Sequence, residues 1–544
     1  MSMANAAAAA PLLPSSREAE PAKELSIDDV IEMCIGATGV LQLLKAVFVA
    51  FAWAFDAQQV FISAFTDAEP RWHCLLTAST GNNSSCSAST ASSPCALPPG
   101  TWAWDRPAEA SVVSEWALNC AGAALVSLPA ASFFAGCMAG GFLLTTLADS
   151  LLGRKKMLFV SLVSTSVAGV LTIFAPNIWV YAALRLVSGF FRSMVGTSTL
   201  VLSTELVGKR CRNTVSVAAF FCFAVGFLSL PALAYAFRDA SWRNMYFWTS
   251  VPCLCYSVLV YFLVQESPRW LLVRGRKQEA VEALQQIISL NGRSCTTASL
   301  SLLDACHLHE DKAGATSEGG VFATLRAMWE RRWAFRRLAA IMAASFGVGM
   351  VYFGMPLNVG SLGSNLYLSV TFNALAELPS AVLAWLLIGR TNRRSSVIAL
   401  TVAAGACSLA CVAIPRGAAA ARMAAEVLSF FAACTAFDVM LIYSTELFPT
   451  SVRNSAVGLV RQAMVLGGVA APVLIALGRE RSFWSFGVFG ISIGCSGLFI
   501  ACLPETRGKS MSDTMDEEER NEAAALASCT GAIADGTGRD SYFV

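Results

Sequence analysis

What most limits how this chain can fold is the recurrence of long apolar runs almost free of charge. "LAAIMAASFGVGMVYFGMPL" (338–357) and "FWSFGVFGISIGCSGLFIACL" (483–503) are two of them. About twenty such residues cross the hydrocarbon core of a bilayer as a helix. There a helix satisfies its own backbone hydrogen bonds, and no alternating ten-residue pattern suggests a barrel instead. Composition agrees. Of 544 residues, 55% are hydrophobic and 14% charged, whereas a soluble globular chain carries roughly 25% charged residues to face water. The reading is an all-α membrane protein with twelve spans, at about 43–64, 121–147, 157–175, 178–202, 214–236, 244–264, 338–357, 364–388, 396–414, 421–443, 455–477 and 483–503.

Two connections are long, 65–120 and 265–337. With twelve spans, the basic loops "GRKK" (153–156), "GKRCR" (208–212), "GRTNRR" (389–394), "SVRN" (451–454) and "ETRGKS" (505–510) share one side with the central loop. Lysine and arginine in short loops mark the cytoplasmic side. The expected organisation is a cytoplasmic tail (1–42), a six-helix half (43–264) with an outward loop (65–120), a central cytoplasmic loop (265–337), a second half (338–503) and a cytoplasmic tail (504–544). The outward loop holds Cys74, Cys86, Cys95 and Cys120, disulfide candidates in an oxidising compartment. It also holds overlapping sequons at Asn82 and Asn83, candidate glycosylation sites. The N-terminus has no basic segment ahead of an apolar one, so no cleaved signal peptide is expected. A net charge of +2 gives no pull toward nucleic acid.

The chain repeats itself. "STELVGKRCRN" (203–213) and "STELFPTSVRN" (444–454) share six of eleven positions, 241 residues apart. Arg154 and Arg393 are offset by 239, Glu266 and Glu505 by 239, and Arg185 and Arg422 by 237. Charged landmarks recurring in one order at nearly one period mark two six-helix halves in parallel orientation. Proteins built this way bind substrate between the halves, near the midplane, and expose it to each side in turn. Asp149–Arg154, Glu205–Arg212 and Glu446–Arg453 are read as intracellular gate pairs that latch the cytoplasmic ends and break when the inside opens.

An ionisable group at membrane depth costs at least ~2.5 kcal/mol, so it is a functional candidate by default. Glu377 lies near the middle of the eighth span and Asp438 about two turns before the end of the tenth. Arg461 and Gln462 lie about two turns into the eleventh, where Arg461 could hold a carboxylate. Arg185 and Arg192 are in the fourth span. Asp56 and Lys45, in the first, are read as snorkelling to opposite interfaces. Trp53, Phe220, Phe221, Tyr352, Phe353, Tyr367 and Phe372 are candidate cavity lining, since cations bind over ring faces.

"FFAGCMAGG…LADSLLGRKK", "ESPRWLLVRGR", "STELFPTSVRN" and "LPETRGKSM", with the Cys-rich loop after the first span, resemble the major facilitator superfamily. More narrowly they resemble its organic cation/anion transporter family, and there the plant organic cation/carnitine transporters. The resemblance implies the twelve-helix major facilitator fold and rocker-switch transport. It also implies a substrate-site role for Glu377 in its "ALxExP" context, a cavity position for Asp438, and proton coupling for Arg185. Two departures matter. Gly389 replaces the second-half partner of Asp149, and Val465 stands where animal relatives carry a charge that selects substrate sign.

No enzyme signature, no cofactor site and no Walker lysine motif for ATP is present, and none of the three histidines lies in a span. The expectation is a non-enzymatic transporter of small organic cations or zwitterions such as carnitine, secondary active or facilitative, with protons as a possible coupling ion. Its surroundings are membrane lipid, in the plasma or vacuolar membrane. Organic anions, sugars or inorganic phosphate are alternative cargoes, and a non-transporting membrane sensor is the other class.

Overall fold

The computed structural model describes residues 38–75, 94–97, 100–147, 152–289, 326, 328–362, 365–415, 417–478, 484–508, 512 and 514–521. Among these, twelve helices are long and apolar enough to cross a membrane. They are α1 (Val40–Thr66), α2 (Ala123–Leu144), α3 (Arg154–Thr172), α4 (Ile178–Glu205), α5 (Lys209–Ala236), α6 (Arg243–Leu263), α7 (Arg332–Leu362), α8 (Leu366–Arg390), α9 (Arg393–Ala413), α10 (Ala419–Glu446), α11 (Thr450–Leu477) and α12 (Trp484–Ala501). Several begin earlier than the apolar runs. The "SVRN" phrase, expected in a loop, forms the first turn of α11, directly after Pro449 at its N-cap. Hydropathy marks only the depth of the hydrocarbon. The helix continues into the polar layer, where charged side chains cost little.

The repeat is expressed in the packing. α2 lies on α4 as α8 lies on α10, α3 on α6 as α9 on α12, and α1 on α5 as α7 on α11. The two halves meet where α2 packs on α11 and α5 on α8, which are themselves equivalent positions. Equivalent glycines permit equivalent close approaches. A Cβ at Gly226 of α5 would stand 2.1 Å from the Ala54 carbonyl oxygen of α1. At Gly467 of α11 it would stand 2.3 Å from that of Phe346 in α7. These glycines lie 241 residues apart, the offset of the "STEL" phrases. Small residues at such crossings let the backbones touch, which is how membrane helices gain packing energy without a hydrophobic drive.

The segment after α1 folds over one end of the first half. Strands β1 (Trp72–Cys74) and β2 (Trp102–Trp104) pair antiparallel, with Trp72 opposite Trp104. Cys95 and Cys120 form a disulfide, and Cys74 is also disulfide-bonded. Cys86, Asn82 and Asn83 lie outside the described residues. Glu115 ties this cap to α6 through a bidentate pair with Arg243, at 2.7 and 2.8 Å. We call this end the disulfide face and the opposite one the basic face.

On the basic face, helices Pro268–Val273 and Lys277–Ser289 follow α6. The C-terminal segment expected as a tail packs there instead. Residues 515–521 are helical, with Asp516 and Glu519 paired to Arg331 and Glu518 to Arg337.

Candidate functional site

The most concentrated chemistry at mid-membrane depth is a cluster of two acids and several rings in the second half. Glu377 lies near the centre of α8, and Tyr352 of α7 donates its hydroxyl to Glu377 Oε1 at 2.8 Å. The Tyr352 ring stacks between Phe430 and Phe437 of α10, at centroid distances of 5.9 and 4.5 Å. Phe430 and Phe437 are seven residues apart, two helical turns, so both meet one face. Asp438 follows immediately and lies in the electrostatic neighbourhood of Glu377 and Tyr352. Both acids are half-buried. Among the described residues no basic side chain acts on either, and the Asp438 carboxylate has no hydrogen-bond partner. Phe61 of α1, in the other half, reaches the Tyr352 ring edge at 6.3 Å. Phe134 of α2 meets Phe353 at 4.8 Å. The cluster therefore touches both halves.

Not every candidate gathers there. Tyr367 is the second residue of α8, ten residues from Glu377, or about 15 Å of helix. It lies toward the disulfide face, takes a hydrogen bond from Arg106 at 2.6 Å and stacks on Phe65 at 5.9 Å. It is not part of the central cluster. Gln462 abuts Gly141 of α2, where a Cβ would meet its Nε2 at 1.9 Å, so it belongs to the contact between halves. Trp53 donates to the Gly196 carbonyl at 3.0 Å and meets Phe220 edge-on, a packing role. Phe221 and Phe372 are exposed. Phe430 and Phe437, which stack on Tyr352, are not among the sequence candidates. Their seven-residue spacing ahead of Asp438 was the available signal.

Arg461 is solvent-reachable although eleven residues inside α11, about 16 Å along the axis. It therefore lines an open space at depth. It donates to Thr197 of α4 at 2.9 Å, across the halves, and lies within electrostatic reach of Arg192 and Asp56. Asp56 does not snorkel. It forms a bidentate pair with Arg192 at 2.7 and 2.6 Å, because an isolated acid at that depth costs far more than a paired one. Lys45, five residues into α1, reaches Gln265 just beyond the end of α6, at the basic interface. Arg185 is fully buried, stacks over Phe133 at 4.1 Å and donates to Ser63 and the Gln59 carbonyl. Beside it Asp67, Tyr181 and Tyr246 form a hydrogen-bonded chain.

The basic face carries the repeated charges, in a different pairing from that expected. Glu446 binds Arg393, at 3.2 Å to both Nε and Nη2, and takes the Thr506 hydroxyl at 2.6 Å. Arg453, read as its partner, turns back to the Phe448 carbonyl and the Thr450 hydroxyl. The turn at Pro449 places Arg453 in the first turn of α11 while α9 presents Arg393 to the end of α10. In the first half Glu205 takes a hydrogen bond from Ser267 and faces Arg154 ahead of Arg269 and Arg212, so Arg154 corresponds to Arg393. Asp149 lies outside the described residues. Glu266 accepts the backbone N–H groups of Arg154 and Lys155 at 2.8 and 2.9 Å. Glu505 accepts those of Arg393 and Arg394 at 2.9 and 3.2 Å. Each glutamate thus caps the first turn of α3 or α9 from a distant segment, satisfying donors a helix start leaves free. The period of 239 residues already linked these groups.

The sugar (and other) transporter family profile matches residues 75–517. Organic cation/carnitine transporter 2 of Arabidopsis thaliana is 47% identical over 530 residues, 96% of this chain and 99% of that protein. Organic cation/carnitine transporter 3 of the same plant is 49% identical over 494 residues, 91% of this chain and 93% of that protein. Among solved structures, the inward-open xylose transporter XylE from E. coli superposes with a TM-score of 0.60 at 17% identity, covering 88% of this chain and 98% of that one. Twelve spans in two repeated halves, this profile and these relatives agree. The chain is an integral, multi-pass member of the major facilitator superfamily's sugar (and other) transporter family, in the branch that includes the plant organic cation/carnitine transporters.

Proposed function

We propose that this protein moves small organic cations or zwitterions across a membrane, with the substrate ammonium held by Glu377 and Asp438 beside the stack formed by Phe430, Tyr352 and Phe437. The observation that carries this reading is two half-buried acids with no basic partner, set against stacked aromatic rings. Such a site lacks a positive charge. A quaternary ammonium supplies one, and ring faces bind it without requiring a hydrogen-bond donor. The names of the plant relatives point to the same class. Arg461, open at depth in the other wall, suits the carboxylate of a zwitterion such as carnitine. It also supports a second reading, an organic anion as cargo.

In this account the halves rock about the cluster. Arg393–Glu446 and the Arg154–Glu205 side of the first half steady the basic face, which the charge pattern makes cytoplasmic. Arg185 is the candidate for proton coupling. The test is uptake into proteoliposomes holding the purified chain, with labelled carnitine, tetraethylammonium, para-aminohippurate, xylose and phosphate, each with and without an imposed pH gradient. Carnitine or tetraethylammonium should accumulate, and Glu377→Gln with Asp438→Asn should abolish it at unchanged protein level. Accumulation of para-aminohippurate alone would favour the anion reading, and uptake of neither ammonium compound rejects the proposal.

A further inference from the structure

Toward the disulfide face lies a separate cavity of about 750 Å3, walled by residues of α1, α2 and α5 on one side and of α7, α8 and α11 on the other. Neither Glu377, Asp438 nor Tyr352 lines it. Phe61, fully buried, stacks on Phe227 at 4.0 Å and touches Tyr352. One turn further along α1, Phe65 lines the cavity, so Phe61 stands between the cavity and the Tyr352 ring.

Two polar groups in this cavity have bonding capacity left over, and they come from opposite halves. Asp67, at the end of α1, receives the Tyr181 and Thr66 hydroxyls on Oδ1 at 2.7 and 3.1 Å and has Ser63 beside it, while its buried Oδ2 has no hydrogen-bond partner among the described residues. Arg185 lies within electrostatic reach of Asp67 but donates to Gln59 and Ser63. Asn358 of α7, 3% exposed, receives Ser361 on Oδ1 at 3.2 Å, while its Nδ2 has no partner among the described residues. A buried polar atom left unpaired costs about 1–3 kcal/mol. One free acceptor and one free donor thus share a cavity with the stacked rings of Phe65 and Tyr367.

We propose that this cavity is a second binding site, for a small zwitterion carrying an ammonium group and a hydroxyl or carboxylate oxygen. The ammonium lies against Asp67 and the Phe65 ring, clear of Arg106, which covers Tyr367, and the oxygen takes the Asn358 N–H. The volume falls in the range of roughly 300–1,000 Å3 that holds small organic ligands. This assignment rests on the substrate class proposed above. It adds a loading position through which the substrate passes before reaching the Tyr352 cluster, held by walls from both halves.

The test is equilibrium binding of radiolabelled carnitine to the purified full chain. The wild type should bind two equivalents. Glu377→Gln with Asp438→Asn should leave one weaker site, and adding Asn358→Leu should remove it. Asn358→Leu alone should bind one equivalent, with Kd within twofold of the tight site. Asp67→Asn, in the Glu377→Gln, Asp438→Asn background, should weaken the residual site about tenfold, as loss of a charged partner does, and serves if the Asn358 variant fails to fold. One equivalent in the wild type, or none in the Glu377→Gln, Asp438→Asn chain, overturns the second site alone. A wild type that binds no carnitine overturns both this inference and the proposed function, a distinguishable result.

Discussion

Tyr352 has one hydroxyl and one ring, and both are engaged: the hydroxyl on Glu377, the ring between Phe430 and Phe437. Tyr352→Phe keeps the stack and removes only the hydrogen bond. A bond to a charged group contributes about 1.5–3 kcal/mol, so the variant should melt lower in detergent, and the KM for carnitine uptake should rise because Glu377 is no longer held in place. The Asp56–Arg192 pair answers the opposite question, because it is bidentate and buried away from the rings. Removing one partner leaves an uncompensated charge and costs about 3–5 kcal/mol. Asp56→Asn or Arg192→Gln alone should lower the melting temperature in detergent, and the double variant should recover much of it. Equal losses in all three would mean that the pair is not the unit.

At the scale of elements, Gly226 and Gly467 set how closely α1 meets α5 and α7 meets α11. Gly467→Val should separate α7 from α11 and lower the melting temperature, whereas the same change at Gly360, where a Cβ would meet nothing within 4 Å, should leave it nearly unchanged. The glutamate caps predict a smaller effect. Glu505→Gln weakens the anchoring of the first turn of α9 and should cost about 0.5–2 kcal/mol, the range for helix N-caps, seen as faster hydrogen exchange at residues 393–396.

Much at this scale was legible in the sequence, because apolar length and loop charge are direct consequences of the bilayer. The twelve helices and the repeat follow from those alone. Pairing was less legible. Arg453 and Arg393 both lie near Glu446 in type and period, and only the turn at Pro449 decides which reaches it. Glu377 and Asp438 stood out as charges in apolar runs. Phe430 and Phe437 did not, since a ring in a membrane helix carries no such cost, and only their seven-residue spacing ahead of Asp438 marks them. Tyr367 was grouped with the cluster by residue type, when its place at the start of α8 sets it toward the disulfide face.

For the whole molecule, the account holds that two halves meeting through α2–α11 and α5–α8 rock about an ammonium held at Tyr352, Glu377 and Asp438. Contacts at two depths join these halves: Arg106 and Phe65 on Tyr367 at the disulfide face, Arg461 on Thr197 deeper in. Alternating access requires that substrate change the distance between the halves, and that it do so through the acids. The most direct measurement is electron–electron distance spectroscopy on the full chain in lipid nanodiscs, with one spin label at Arg210 at the start of α5 and one at Ser451 at the start of α11, both exposed on the basic face. Carnitine should shift the distance distribution in the wild type and leave Glu377→Gln with Asp438→Asn unmoved. An unchanged distribution in the wild type, or the same shift without the acids, would contradict the account.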